Sequence, residues 1–265
     1  MGLDRQKLVA ILAAMPETAD LTVEVYETLP STNQQAWKAI AQGARSGTVL
    51  IADRQTSGRG QWGRQWSSSA GGLYLSLVIA PNLPVNYGYQ LTLAAAWGIA
   101  TALGDRGIPV RLKWHNDLIL MGRKLGGILT ETKVRQETII HAVVGVGINW
   151  ANPVPTTGIG LQSFLNQQSS TAIDSLEMLA AVTLQGIVSG YQHCSPTGIN
   201  TLLRSYHKLF VNLGQRVTVE GQNGVVVGIS DRGELRVRLD SQLSNVDSVA
   251  EICLAPGSVS LGYDG

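Results

Sequence analysis

The first pattern along the chain is helical. Leu3, Leu8, Ile11 and Leu12 fall near helical spacing, which predicts a short helix over residues 3–14. From Leu21 to Tyr26 apolar and polar residues alternate, the period of a strand. Ser31-Thr32-Asn33 follows Pro30 and precedes Ala36, Trp37 and Ile40, so a hydroxyl there predicts an N-cap and a second helix. Thr48 to Ala52 reads as a buried strand and Leu73 to Ile79 as another. A long apolar helix is predicted over 88–103, stopped near Gly104 and Gly107. Val110 to Trp114 and Leu118 to Met121 predict a hairpin. Lys124 to Thr132 and Thr138 to Gly145 predict two further strands, closed by a turn from Gly145 to Asn149. Helices return over 174–191 and 198–209, with a breaker over 192–198 between them.

The last fifty or so residues change character. Val217 to Val219, Gly224 to Ile229 and Leu235 to Leu239 are short β-rich runs, with Asn223-Gly224 and Arg232-Gly233 marking turns between them. This predicts a small β-barrel beginning near Val211. The expected class is α+β: a mixed or antiparallel sheet with helices over 1–210, then a small β domain over 211–265.

Composition narrows the function classes. A formal net charge of +1 argues against a broad polyanion-binding surface but leaves room for one local basic pocket. No apolar stretch is long enough to span a bilayer, so no membrane association is expected. The apolar run from Leu8 to Ala14 follows Asp4, Arg5 and Lys7 and lacks a cleavage region, so no signal peptide is expected. Cys194 and Cys253 are far apart, which predicts two reduced thiols and a cytoplasmic protein. His115, His141, His193 and His207 are scattered, so no protein-held metal is expected.

The chemistry concentrates in two stretches. Gly58, Gly60 and Gly63 fit a G-x-G-x-x-G pattern, but neither the helix nor the later acidic residue of a dinucleotide site follows. Arg54, Arg59 and Arg64 have no carboxylate of their own, because no Asp or Glu occurs between Asp53 and Asp105. Such arginines on glycine backbone suit a phosphate or carboxylate from outside. Trp62 and Trp66 offer flat faces for a ring, and packing back onto the protein is the competing reading, favoured for Trp66. In the second stretch, Lys113, Asn116 and Asp117 sit at a hairpin turn, and Lys124 opens Leu125-Gly126-Gly127-Ile128-Leu129. Gly126 and Gly127 would let a ligand lie against the strand backbone. Glu131 reads equally as a solvent-face residue or as an arginine's partner.

Together, Ser31-Thr32-Asn33, the loop from Arg54 to Trp66, Lys113 to Leu129 and Gly145 to Asn149 closely resemble the biotin protein ligases, over about residues 20 to 262. The resemblance implies a class II synthetase-like catalytic domain and an SH3-like C-terminal barrel. It implies condensation of biotin with ATP to biotinyl-5′-adenylate and pyrophosphate, usually with Mg²⁺. Transfer to one lysine of a biotin carboxyl carrier protein, as in acetyl-CoA carboxylase, would follow. Carried over by motif, Ser31, Thr32, Asn33 and Gln55 would hold biotin, Gly127 would give it backbone contact, and Lys124 would hold its carboxylate and then the phosphate. Arg59, Gly60, Gln61, Trp62 and Arg64 would close over the adenylate, with Asn116 and Asn149 near it. Asp117 would orient or deprotonate the incoming lysine, which makes Lys124, Arg59 and Asp117 the expected catalytic set.

Two positions depart from the family pattern: Gln61 stands where arginine is usual, and His115 where proline is usual. About twenty residues precede the first expected strand of the catalytic domain, so neither a DNA partner nor a repressor role is expected. The family includes homodimers formed through the catalytic sheet. Rival readings are a lipoate or octanoate ligase of related fold, a nucleic-acid-binding regulator and a non-enzymatic adaptor. Ser31-Thr32 and Gln55 favour biotin over a long acyl chain.

Overall fold

The computed structural model describes residues 2–168, 172–194, 198–240, 250–259 and 261–262. The chain runs α1 (Arg5–Ala13), β1 (Thr22–Leu29), α2 (Thr32–Ala41), β2 (Thr48–Gln55), β3 (Leu73–Ile79), β4 (Leu83–Pro84) and α3 (Gly88–Gly104). It continues through β5 (Arg111–Lys113), β6 (Asp117–Leu120), β7 (Arg123–Arg135), β8 (Thr138–Ile148), α4 (Leu161–Leu165), α5 (Leu176–Tyr191) and α6 (Ile199–Leu209). It ends in β9 (Arg216–Val219), β10 (Gln222–Ile229), β11 (Leu235–Leu239) and β12 (Glu251–Leu254).

One mixed sheet organises the larger part, in the order β1-β2-β3-β8-β7-β6-β5 with β4 beside β8. Only β1 and β2 pair in parallel; the remaining neighbours are antiparallel. Strand alternation sorts side chains to two faces. Val49 and Ile51 of β2 join the large core with α3 and α5, while Leu50 between them joins Ala36 of α2, Val78 and Val143 on the other side. The sheet is therefore covered on both faces. Helices α3 and α5 touch backbone to backbone: a Cβ on Gly98 would stand 1.9 Å from the Gly186 carbonyl oxygen, and one on Gly190 2.1 Å from that of Ala94. Among the described residues, no helix is long and apolar enough to cross a membrane.

The C-terminal part is a four-stranded antiparallel sheet in the order β12-β11-β10-β9. It docks on the β5–β6 hairpin and α6. The Trp114 indole donates to the Gly233 carbonyl at 3.0 Å, the Trp114 backbone N–H donates to Asn212 Oδ1 at 2.9 Å, and Ile229 N–H donates to His207 Nε2 at 3.2 Å.

Two sequence expectations are corrected. The β9–β10 turn is not Asn223-Gly224 but Glu220-Gly221, whose φ values of 50° and 83° suit a two-residue hairpin loop between paired Val219 and Gln222. Gly224 instead lies within β10, where a Cβ would stand 2.7 Å from the Arg238 carbonyl oxygen. No turn begins at Gly145, because β8 runs on to Ile148 against both β3 and β7. Short β4, α4 and β12 were not read from the sequence. Of the predicted breaker, residues 195–197 lie outside the described residues.

Candidate active site

A cavity of about 440 Å³ opens between the arginine loop, the start of α2, the face of β7 and β8, the β5–β6 hairpin and residues 257–259, 261 and 262. The loop is a narrow finger. Trp66 N–H donates to the Gly58 carbonyl at 2.9 Å and Gly60 N–H to the Arg64 carbonyl at 2.7 Å, leaving a tight 3-10 turn at Gln61–Gly63. Trp62 at the tip is 64% exposed and lies over Gly257, where an added Cβ would meet its ring at 2.4 Å. Trp66 at the base folds back onto the sheet: a Cβ on Gly147 would stand 2.4 Å from its Nε1. It thus follows the packing reading while its indole forms a wall of the cavity.

Neutral polar groups line one end. Ser31 caps α2, its hydroxyl accepting from Gln34 N–H at 3.5 Å. Thr32 N–H donates to Gln55 Oε1 at 2.8 Å, and Gln55 Nε2 donates to Ser68 Oγ at 2.8 Å. The Ser76 hydroxyl lies 2.7 Å from Asn33 Oδ1 and 2.8 Å from Thr32 Oγ1. Asn33 is buried, and its amide donates to the Leu129 carbonyl at 3.2 Å and to Glu131 at 3.0 Å. Its polar atoms are therefore engaged by the protein, and it braces Glu131 at the cavity's edge.

The charges converge from two directions. Arg59 Nη2 meets Glu131 at 2.8 Å, and Glu131 also accepts from the Trp37 indole at 3.1 Å. Glu131 is thus an arginine partner, which settles the choice left open above. On the same strand, Lys124 Nζ stands 2.6 Å from Asp117 Oδ1 and 5.3 Å from the Trp66 ring centre. A Cβ on Gly127 would fill the space among Asp117, Lys124 and Trp66, touching them at 3.5, 3.6 and 3.6 Å. Arg64 and Gly60 line the mouth of the cavity. Asn116 lines it as well, its side chain donating to the Ile128 carbonyl at 2.9 Å.

Asn149 is placed elsewhere. It does not line the cavity; it donates to the Lys124 carbonyl at 3.3 Å and accepts from Asn152 at 3.1 Å. With Lys124 N–H donating to the Thr157 carbonyl at 2.8 Å, this fixes the backbone that carries the lysine.

This geometry has counterparts among known proteins. The chain matches the Biotin/lipoate A/B protein ligase family over residues 25–149. It is 32% identical over 231 residues to the biotin--[acetyl-CoA-carboxylase] ligase of Mycobacterium tuberculosis, covering 80% of this chain and 82% of that protein. It is 30% identical over 225 residues to the Escherichia coli bifunctional ligase/repressor BirA, covering 83% of this chain and 70% of that one. The chain belongs to the biotin protein ligase family. The fold agrees: a biotin protein ligase from Aquifex aeolicus, solved in complex with biotin and ATP, superposes with a TM-score of 0.70 at 26% identity, over 90% of this chain and 97% of that one.

The two departures from the biotin protein ligase pattern touch each other. Gln61 Nε2 lies 2.8 Å from His115 Nε2. Burial lowers the His115 imidazole to about 4, with the Asp117 charge pulling the other way, so the ring is neutral at physiological pH and its Nε2 accepts from the glutamine amide.

Further groups line the cavity that the sequence either named without a role, as it did Lys113, or did not name. Lys113 is only 7% exposed, and its amine donates to the Gly262 carbonyl at 2.7 Å. Its signal was a lysine inside the apolar run Val110 to Trp114, which alternation turns away from the core. Ser258, Val259 and Leu261 also line the cavity, and nothing in their local sequence marks them.

Proposed function

We propose that this cavity joins biotin to ATP as biotinyl-5′-adenylate, releasing pyrophosphate, and then passes the biotinyl group to a lysine of a carrier protein. The carrier is of the acetyl-CoA carboxylase type named for the Mycobacterium tuberculosis relative. One observation carries the reading. The arginine loop and Lys124, about sixty residues apart in sequence, share one cavity with a neutral donor–acceptor cradle.

In the first step a carboxylate oxygen of biotin attacks the α-phosphorus, and the bond to pyrophosphate breaks. Both reactants are anionic. Cations fixed in place before the reaction lower that barrier, by several kcal/mol as an order of magnitude. Lys124 serves the reacting carboxylate and phosphate, while Arg59 and Arg64 cover the adenylate from the loop. Lys124 exchanges its Asp117 partner for the substrate's carboxylate, and Arg59 exchanges Glu131 for the phosphate. In the second step a neutral lysine amine attacks the acyl carbon, AMP leaves and the amine loses a proton. Asp117, released from Lys124, orients that amine or takes the proton.

Magnesium enters with ATP. Among the described residues no group of three or more His, Cys, Asp or Glu side chains is placed to hold a metal. In this reading the ion rides chiefly on the nucleotide phosphates, as magnesium does where few carboxylates meet it.

Biotin is favoured over lipoate by the cradle itself. Thr32, Gln55, Ser68 and Ser76 place hydroxyl and amide groups within one connected network at the head of α2, with the Ser31 hydroxyl beside it as the N-cap. A ureido head needs such partners, whereas a long acyl chain needs an apolar tunnel. In this reading the enzyme is cytoplasmic, and the C-terminal sheet belongs to an SH3-like domain over 211–265 that helps close the nucleotide end.

Incubation with biotin and ATP, followed by mass spectrometry, tests the reading. The expected product has the mass of biotinyl-adenylate. A lipoyl-adenylate formed in preference, or no adenylate at all, would overturn it.

A further inference from the structure

We infer that His115 is a positioning residue, whose hydrogen bond with the Gln61 side chain fastens the tip of the arginine loop to the β5–β6 hairpin and holds the loop closed over the cavity. The inference rests on the biotin–ATP reading of that cavity.

Four ties bind the finger to the body of the protein. At its base, Trp66 lies on Gly147. Along its side, Arg59 pairs with Glu131. At its tip, the Trp62 ring lies over Gly257 and Gln61 makes the one hydrogen bond described there, to His115. Between Gly60 and Arg64 the described backbone hydrogen bonds are internal to the finger: Gly60 N–H to the Arg64 carbonyl at 2.7 Å, and Arg64 N–H to the Gln61 carbonyl at 3.1 Å. They shape the tip without attaching it to anything.

The anchor is better fixed than the loop. His115 is 7% exposed, its ring meets that of Trp114 edge-on at 5.2 Å between centres, and its carbonyl accepts from the Tyr206 hydroxyl at 3.4 Å. The imidazole therefore presents a fixed acceptor, and the mobile partner is the glutamine.

The chemistry of the two side ties differs. An arriving phosphate competes with Glu131 for Arg59, because both are anions. It does not compete for a neutral amide–imidazole bond. The tip can stay fastened while the arginine changes partners, which separates holding the loop from binding the substrate. With arginine at 61, the tip would carry a cation against a buried imidazole; with proline at 115, the acceptor would be gone. The two departures thus make one contact.

Gln61→Ala, His115→Ala and the double variant test this, with His115→Asn as the variant that keeps an acceptor. The readouts are biotin-dependent exchange of labelled pyrophosphate into ATP and tryptic cleavage at Arg59 and Arg64 without ligand. Losing one neutral hydrogen bond is expected to raise the KM for ATP roughly 3- to 10-fold. The kcat should stay near the wild-type value, and cleavage should accelerate. The double variant should be no worse than the poorer single one, since both remove the same contact, and His115→Asn should lie closer to wild type. Single effects that multiply in the double variant would overturn the inference. Gln61 lies on the surface finger, so Gln61→Ala reports even if His115→Ala fails to fold, and an unchanged KM with unchanged cleavage there would also overturn it. Absence of exchange in the wild type would refute the biotin–ATP reading instead, and the cleavage assay would still decide the latch.

Discussion

Lys124 Nζ stands 2.6 Å from Asp117 Oδ1, inside the cavity that the arginine loop covers. The two side chains are only 28% and 12% exposed, so each charge depends on the other for much of its solvation. Under the proposed mechanism, biotin's carboxylate would take the place of Asp117 beside Lys124, so that the exchange of one anion for another would keep the lysine compensated.

Asp117→Asn separates the two chemical steps. It keeps the shape of the side chain but removes the base. Biotin-dependent pyrophosphate exchange should persist, because Lys124 remains charged. Transfer from pre-formed adenylate to the carrier lysine should fall on the order of 100-fold or more. Rapid-quench measurement of both steps checks this, and an equal loss in the two would remove Asp117 from the transfer step.

Gly147→Ala tests the wall formed by Trp66. The added Cβ would stand 2.4 Å from the indole nitrogen, and the rigid ring has to shift into the cavity or away from it. Biotin affinity by isothermal titration should drop about 10-fold or more, equivalent to about 1.4 kcal/mol. Intrinsic tryptophan fluorescence should change with it. Unaltered affinity would mean that Trp66 is not part of the binding surface.

Acid should weaken the fold through His115. Its folded value is lowered to about 4 by burial, against an ordinary value of 6.5. The unfolded chain accepts a proton that the folded one refuses, so this contribution is present above pH 6.5 and is lost as pH falls through about 4. A shift of that size is worth on the order of 3 kcal/mol. His207, lowered by burial and by Arg236, adds in the same direction. Urea unfolding near pH 7.5 and near about pH 5 should show a smaller acid loss for His115→Asn than for wild type. Equal losses would contradict the assignment.

Much of the fold was legible because burial imposes periodicity. Strand β3 was read at its full length from Leu73 to Ile79, and α3 to within a residue at its end, since both are apolar runs bounded by glycine or proline. The Asn223-Gly224 turn failed because a glycine needed for close strand contact has the same letter as a glycine needed for a turn. In the site, Arg59 and Lys124 were legible as cations on glycine-rich backbone, whereas Gln55 and the role of Asp117 came only through the family resemblance. Contributions made by distance along the chain were not. Glu131 gripping Arg59, Gln61 meeting His115, and Lys113 reaching Gly262 each join segments whose proximity the topology creates. Asn33 lines the cavity as the sequence expected and its side chain also holds Glu131, whereas Asn149 lies off the cavity and holds the Lys124 backbone.

The most direct test of the convergent-cation account is biotin-dependent exchange of labelled pyrophosphate into ATP by wild type and Lys124→Ala, with biotin binding and far-UV circular dichroism as controls. The account predicts exchange by the wild type and a loss on the order of 100-fold or more in the variant, with its fold intact. Exchange by Lys124→Ala at the wild-type rate would contradict it.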